Sequence, residues 1–230
     1  MRRIYYRMQL RRVGGQDGAG GLVAELASKG PKTFVEFGFD PTEFNCICLA
    51  KDPTWSGLLI DGSTRKVEDA RRLFHPGIRA QSTFLTLDNL DIVRQAFPKI
   101  GVLSIDVDGN DYWFLKALID LEPSLIVVEY NASFGIAPIT VPYDPTFDRH
   151  AKHPRAWYHG ASLTALAKLC AAHGYGLAAI SDGGLNALFT RDGKLDPTEA
   201  WKPSALRQKF SGASHNEQWA SLKHMPFEEV

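Results

Sequence analysis

The chain has 230 residues, which suits one α/β domain with a full core and is short for two. Its 44% hydrophobic and 23% charged content is ordinary for a globular protein, and its 26 basic and 26 acidic side chains leave no net charge. This balance argues against a broad nucleic-acid-binding surface and favours a small-molecule or protein partner.

Residues 1–21 form a basic, glycine-rich N-terminal tail. Its first twelve residues carry five arginines and predict either a partly ordered tail or a contact for an acidic partner, and Gly14–Gly21 resembles a flexible link. The tail lacks the apolar region of a signal peptide, and no later run reaches about 18 apolar residues. Three cysteines are too few for a disulfide framework. We therefore expect a cytoplasmic protein without a membrane segment.

Short apolar runs alternate with segments of helical period from Thr33 onward, which predicts an α/β domain over residues 22–195. The predicted strands are Thr33–Phe37, Leu58–Ile60, Gly77–Leu85, Val102–Ile105, Leu125–Val128, Gly176–Ile180 and Asn186–Thr190. The predicted helices are Leu22–Ser28, Asn45–Lys51, one after Ser63, Leu90–Phe97, one capped by Asn110 or Asp111, and one from Ala161 to Gly174. A hairpin should join the last two strands, so we expect a Rossmann-like, mostly parallel seven-stranded sheet with helices on both faces.

Two later segments lack this regularity. Residues 131–159 show no clear periodicity, and a loop of this length in a compact domain usually serves as a lid or binding segment. Its His150, His153 and His159 suit solvated loop residues, zinc ligands or a general base acting on a substrate hydroxyl. Residues 196–230 form a polar C-terminal extension, expected to contain one or two helices packed on the domain or on the second subunit of a homodimer.

Acids at the ends of the first two predicted strands point to a ligand that contains a nucleoside. Gly38 stands two residues after Glu36, and its missing Cβ lets a ligand approach the backbone. Asp61 comes about 20 residues later, in a position to accept hydrogen bonds from two ribose hydroxyls. The G-x-G-x-x-G pattern is absent, so a cofactor without phosphates fits better. An ordinary turn and a helix cap are the structural alternatives.

An acidic loop follows the fourth predicted strand. Asp106, Asp108 and Asp111 stand so close that their carboxylates need a cation, a proton or hydrogen-bond donors between them. The loop can therefore hold Mg²⁺ or Ca²⁺, supply a general base of raised pKa, or form only a capped turn. Tyr130 and Asn131 follow the next strand and can orient a substrate.

The chain resembles the class I S-adenosylmethionine-dependent methyltransferases, and within them the FkbM-type group. The resemblance rests on the order and spacing of VEFG at 35–38, LLIDG at 58–62, SIDVDGNDYW at 104–113, VVEYN at 127–131 and GASLTALAKLCAAHGYGL at 160–177. The chain departs from the group at Phe39, where many relatives carry a second glycine. The resemblance implies S-adenosylmethionine as cofactor and O-methylation of a small hydroxylated acceptor, such as a sugar or polyketide.

The resemblance also implies roles for individual residues, with methionine against Glu36 and Gly38, ribose on Asp61 and adenine near residues 82–85. The implied cofactor-binding residues are Glu36, Gly38, Asp61, Gly62, Ser63, Ser82, Thr83 and Asp106. The acidic loop is similar in outline to that of metal-dependent sugar O-methyltransferases, which makes Asp106, Asp108 and Asp111 candidate Mg²⁺ ligands. The candidate general bases are, in order of preference, Asp106, Asp108 and His159. The candidate substrate-contacting residues are Tyr130, Asn131, His150, His153 and Tyr158.

Two other functions fit parts of the sequence. A binding or assembly protein can keep this fold without turnover and use the arginine-rich start and the aromatic residues of the C-terminal extension as contact surfaces. An NAD-dependent oxidoreductase would rest on Asp61 alone, and the chain lacks the glycine pattern of that class. Binding of S-adenosylmethionine and formation of S-adenosylhomocysteine distinguish these functions.

Overall fold

The structure, a computed structural model, describes residues 18–230. The predictions for residues 1–17, which include the arginine-rich start and half of the glycine-rich link, lie outside the described residues. In the described part, the strands are β1 Thr33–Phe37, β2 Ser56–Asp61, β3 Ile78–Ser82, β4 Val102–Ile105, β5 Leu125–Glu129, β6 Ile139–Thr140, β7 Gly176–Ile180, β8 Asn186–Thr190 and β9 Glu228–Glu229. The predicted strands β1, β4, β7 and β8 are confirmed residue for residue.

Seven of these strands form one mixed sheet in the order β3-β2-β1-β4-β5-β8-β7, which confirms the predicted mostly parallel α/β fold. Strand β1 pairs in parallel with both β2 and β4, with Phe37 opposite Ile60 on one side and Ile105 on the other. Strands β7 and β8 run antiparallel, as the predicted hairpin requires. The strand order reverses between β1 and β4, and open α/β sheets bind ligands beyond the carboxyl ends of strands at such a switch point.

Helices alternate with the strands along the described chain. They are α1 Ala19–Leu26, α2 Ile47–Lys51, α3 Thr64–Leu73, α4 Asp91–Arg94, α5 Asp111–Leu118, α6 Arg149–Lys152, α7 Leu163–Ala172, α8 Pro197–Ala200, α9 Ala205–Ser211 and α10 His215–Leu222. None of the helices formed by residues 18–230 has both the length and the apolar character needed to cross a membrane.

Several element boundaries differ from the prediction. Helix α1 begins at Ala19, inside the predicted flexible link, and Ala19 and Gly20 are buried because small side chains let the helix lie close to α2. Strand β3 is shorter than predicted, because the Thr83 backbone N–H donates to the Asp61 carbonyl oxygen and the ladder with β2 ends there. Helix α4 spans only Asp91–Arg94 and is followed by Pro98, before which helical backbone is disfavoured.

The fold divides into two compact units. The first ends at Asp106 and also includes Leu121–Val127, whereas the second comprises Val107–Asp120 and Val128–Val230. The first unit contains β1 to β4 with α1 to α4. Strands β1, β2 and β4 are largely buried, whereas three residues of β3 are exposed. The second unit contains residues 107–111 of the acidic loop, α5 to α10 and strands β6 to β9.

Residues 131–159 and the C-terminal extension fold together within the second unit. The predicted lid contains a short helical turn, Ala132–Phe134, in addition to β6 and α6. Strand β9, close to the C-terminus, pairs antiparallel with β6. The apolar cluster of this region, called the lid cluster below, consists of Phe134, Ile139, Val141, Trp157, Tyr158, Ala213 and Leu222, with Ala137, Phe147, Trp219, Met225 and Phe227 packed against it. The extension contains three helices, α8 to α10, in place of the expected one or two, and within this unit it packs on β6 and the lid cluster.

Candidate functional site

In the first unit, the carboxylate of Glu36 organises the loop that follows β1. The side chain is completely buried, and its two oxygens accept hydrogen bonds of 2.8 Å from the backbone N–H groups of Asn45 and Cys46. Burial raises the pKa of Glu36 and these hydrogen bonds oppose that shift. Glu36 therefore fixes the path of the chain up to α2, and its oxygens are engaged by the protein itself.

Gly38 and Asp61 come together at the ends of β1 and β2. Gly38 has φ of +79°, a backbone conformation that glycine adopts without strain, and its N–H donates to the Ile60 carbonyl oxygen at 3.0 Å. One Asp61 carboxylate oxygen accepts from the Ser63 N–H at 2.7 Å, and the other lies 3.2 Å from Lys66 Nζ. The Ser63 hydroxyl caps α3 by accepting from the Lys66 N–H, as predicted for a residue in this position.

The end of β3 lies against the same turn. Ser82 Oγ is 3.0 Å from Thr64 Oγ1, and the Thr83 N–H donates to the Asp61 carbonyl oxygen at 3.0 Å. A Cβ on Gly62 would lie 3.3 Å from the ring of Phe84, whose side chain is largely exposed. The first unit therefore brings together the predicted cofactor residues of β1, β2 and β3. Asp106 ends this unit, and its N–H continues the β4 ladder by donating to the Phe37 carbonyl oxygen.

In the second unit, Asp111 stabilises the acidic loop through hydrogen bonds to its backbone. It is fully buried, and its two carboxylate oxygens accept from the N–H groups of Val107 and Gly109 at 2.9 Å each. Burial raises the pKa of Asp111 from 3.8 to about 6, the two hydrogen bonds oppose this shift, and the charge of Asp108 adds to it. Asn110 is the N-cap residue of α5, as predicted, but its side chain makes no capping hydrogen bond, and the Asp111 side chain bonds backwards into the loop.

Asp108 sits at the tip of this loop in the left-handed backbone region, with φ of +56°. Its carboxylate forms a close ion pair with Arg149, at the start of α6. The Asp108 side chain remains 48% exposed, so this carboxylate can still meet a ligand. Next to it, the Asn110 amide donates to the Asp144 carbonyl oxygen at 2.8 Å and accepts from the Asp144 N–H at 3.3 Å.

His159 lies deeper in the second unit and is only 1% exposed. Its Nδ1 atom is 3.5 Å from Oε2 of Glu129, the last residue of β5. Its Nε2 atom is 2.9 Å from Nη2 of Arg207, on α9. Burial, with the positive charges of Arg207 and Arg149, places the pKa of His159 well below its ordinary value. His159 is therefore neutral and a weak base in this arrangement.

Asp108, Glu129 and His159 can each offer one ligand-type atom within 4.8 Å of the other two. Two guanidinium groups already contact this cluster. Arg149 forms an ion pair with Asp108, and Arg207 hydrogen-bonds to His159. The predicted ligand Asp111 places both carboxylate oxygens on backbone N–H groups. A Mg²⁺ ion on Asp108 would compete with the guanidinium of Arg149, and the predicted ligand set of Asp106, Asp108 and Asp111 stays a prediction.

The predicted substrate-contacting residues have unlike surroundings. The Asn131 amide nitrogen donates to the carbonyl oxygens of Trp157 and His159 at 2.7 and 2.8 Å. Tyr130 is buried and its hydroxyl donates to the Lys202 carbonyl oxygen at 3.3 Å, whereas the Tyr158 hydroxyl donates to the Pro226 carbonyl oxygen within the lid cluster. Burial raises the pKa of Tyr158 to about 12.

The three histidines of the predicted lid also differ in their exposure to solvent. His150 is exposed, as expected of a solvated loop histidine. That interpretation is wrong for His159 and for His153, which is buried and stacks on Trp157 with ring centroids 5.9 Å apart. Among residues 18–230, neither group of potential metal ligands contains more than one of these histidines.

Three residues outside the predicted site complete this cluster. Glu129 was visible in the sequence as the acid that ends β5, the position that drew attention to Asp61 on β2. Arg149 and Arg207 gave no local signal, because each is an arginine in a polar segment whose partner lies 41 or 48 residues away in sequence.

A scan against models of protein families finds no match to this chain, and a comparison with curated proteins finds none either. Solved structures are similar to it at low identity. An O-methyltransferase family protein from Burkholderia thailandensis has a TM-score of 0.46 and 12% identity over 76% of this chain and 55% of its own. TnmH has a TM-score of 0.42 and 11% identity, over 82% and 57% of the two chains.

Human N-acetylserotonin methyltransferase (ASMT) in complex with SAM has a TM-score of 0.41 and 14% identity, over 71% of this chain and 48% of its own. The chain spans about half the length of these three solved structures.

Proposed function

We propose that this chain is an S-adenosylmethionine-dependent methyltransferase that acts on a hydroxyl group of a small acceptor, such as a sugar or polyketide. One observation carries the proposal. The turns after β1 and β2 bring Gly38, Asp61 and Ser63 together next to the point where the strand order reverses. In open α/β sheets, that place binds nucleoside-containing ligands.

The contacts of Asp61 suit a ribose. Its carboxylate already accepts from the Ser63 N–H and from Lys66 Nζ, but an ionised carboxylate has about four acceptor sites, so two remain for the ribose hydroxyls. Hydrogen bonds from hydroxyls to an ionised carboxylate are about twice as strong as those between neutral groups. Gly38 leaves room for the cofactor beside the backbone, and Glu36 supports this loop indirectly.

S-adenosylmethionine supplies an already activated methyl group when bound, so the protein mainly has to align the acceptor and receive its proton. In the second unit, Asp108 suits this task better than His159. The Asp108 carboxylate is half-exposed and oriented by Arg149, whereas the lone pair of His159 Nε2 is taken by Arg207. We therefore assign the acceptor hydroxyl to Asp108.

Isothermal titration calorimetry with S-adenosylmethionine tests the cofactor half of this proposal. Wild type should bind with saturation, and Asp61→Asn should bind about 10- to 100-fold more weakly, because a charge-assisted hydrogen bond contributes roughly 1.5–3 kcal/mol. Glu68→Gln is the matched control, because Glu68 is an exposed acid on α3 that pairs with Arg72, and its change should leave affinity unchanged. Equal affinities of wild type and a folded Asp61→Asn would show that Asp61 does not bind the cofactor.

A second candidate function, a binding or assembly protein without turnover, has one observation in its favour. Both Asp108 and His159 are held by arginines, an arrangement that is stable without a substrate. The two functions differ in product. An enzyme releases S-adenosylhomocysteine when hydroxylated acceptors are supplied with the cofactor, whereas a silent protein binds the cofactor and releases none.

A further inference from the structure

Arg207, on helix α9, hydrogen-bonds to three neutral acceptors in the second unit. Its Nη1 lies 2.6 Å from Asn131 Oδ1 and 2.6 Å from Ser133 Oγ, and its Nη2 lies 2.9 Å from His159 Nε2. A guanidinium group is only a donor of hydrogen bonds. Each of these three atoms must therefore present a lone pair to Arg207.

The neighbouring hydrogen bonds allow no other assignment for the first two acceptors. The Asn131 amide nitrogen donates to the carbonyl oxygens of Trp157 and His159 at 2.7 and 2.8 Å, so its oxygen must face Arg207. The Ser133 hydroxyl is 2.6 Å from Gln218 Oε1 and donates its proton there, which leaves its lone pairs for Arg207. The position of the guanidinium is thus fixed from two directions.

The same reasoning determines the proton on His159. Because Nε2 accepts from Arg207, a neutral imidazole must carry its proton on Nδ1. Nδ1 lies 3.5 Å from Glu129 Oε2 without a hydrogen bond between the two atoms, so the proton lies beside this carboxylate. Arg149 and Asp108 are the other charged groups that act on this cluster, and the positive charges of the two arginines oppose a second proton on the ring.

We propose that Arg207 is a positioning residue, which holds His159 as the neutral Nδ1–H tautomer and so places the proton on the nitrogen next to Glu129. The C-terminal extension, through α9, thereby becomes part of the candidate site and determines which imidazole nitrogen carries the proton. The inference does not depend on methyl transfer, because it concerns the protein before any ligand binds.

Long-range ¹⁵N–¹H correlation spectra of the full chain labelled with ¹⁵N-histidine test this directly at neutral pH. His159→Gln identifies the His159 signals by their loss. In wild type, Nδ1 should show the shift of a protonated nitrogen and Nε2 that of an unprotonated one. Arg207→Met should lose this single-tautomer pattern, since the donor to Nε2 is gone. Arg207→Lys should retain it, because lysine keeps a cationic donor.

Lys209→Gln, which alters an exposed residue of the same helix, should give the wild-type spectrum. A wild-type spectrum with the proton on Nε2, or with both nitrogens protonated, would overturn the proposal, and so would an unchanged pattern in Arg207→Met. Should Arg207→Met fail to fold, the wild-type spectrum still decides the tautomer. No cofactor is added, so the outcome is separate from success or failure of the cofactor titration.

Discussion

At the scale of single residues, the acids near the strand ends differ in what holds them. Glu36 and Asp111 are buried and accept backbone N–H groups on both carboxylate oxygens, so they fold the loops around them. Asp61 and Asp108 pair with cationic side chains and keep acceptor capacity for a ligand. A sequence shows an acid after a strand, but it does not show which of these two roles the acid has.

Asp111 should make stability depend on pH. Its pKa in the folded protein is about 6, against 3.8 as the ordinary value, so the folded protein holds this proton more tightly than the unfolded chain does. The contribution of this group to the free energy of unfolding therefore falls as the pH rises from about 4 to about 6, and then levels off. Urea unfolding across this range should show that the free energy of unfolding of wild type, minus that of Asp111→Asn, decreases as pH rises. A constant difference would contradict the assignment, and the exposed Asp192→Asn serves as control.

Glu36→Gln should destabilise the protein by about 1–3 kcal/mol. The glutamine amide would place a donor against one of the N–H groups of Asn45 and Cys46, and a buried unsatisfied donor costs about that much. Urea denaturation measures the loss, and the exposed Glu43→Gln should change stability little. Wild-type stability in Glu36→Gln would show that the carboxylate does not hold the loop.

At the scale of elements, the acidic loop packs closely against the segment that leads into α6. A Cβ on Gly109 would lie 2.3 Å from Phe147 Cδ1, and the Asn110 side chain bonds to both backbone groups of Asp144. Glycine at position 109 is thus required by close approach of an aromatic ring. This contact joins residues that are far apart in sequence, and it keeps Asp108 near Arg149.

Gly109→Ala should therefore destabilise the protein by about 1–3 kcal/mol through overpacking. Adding Phe147→Ala makes room for the new methyl group, so the double variant should lose at least about 0.5 kcal/mol less than the sum of the two single changes. Gly21→Ala is the matched glycine control, because a Cβ there meets nothing within 4 Å. Strict additivity in the double-mutant cycle would show that the ring does not limit residue 109.

The regular elements of the first unit and the hairpin of the second were predictable because their signals are local. Alternating apolar runs, the Ser63 cap and the turn between β7 and β8 each depend on neighbouring residues. The boundaries of α1 and β3 were not predictable, because they depend on packing against α2 and on a hydrogen bond to Asp61. The short elements of residues 131–159 gave no periodic signal, since β6 has two residues and its partner β9 lies near the C-terminus.

At the scale of the whole molecule, the fold class could be predicted from the alternation of strands and helices, and the sheet order confirms it. The candidate site could be predicted only in part. Its first-unit residues follow consecutive strands of a parallel sheet, whose carboxyl ends meet at one edge. Arg207 comes from a C-terminal extension whose sequence predicts little beyond short helices, and its link to His159 exists only after the chain has folded.

The central claim is that the chain binds S-adenosylmethionine at the ends of β1 and β2, and competition calorimetry tests it most directly. We expect S-adenosylmethionine and S-adenosylhomocysteine each to bind wild type with saturation and to displace one another, and NAD to give no binding. A folded protein that binds NAD in place of S-adenosylmethionine, or that binds no S-adenosylmethionine at millimolar concentration, would contradict the claim.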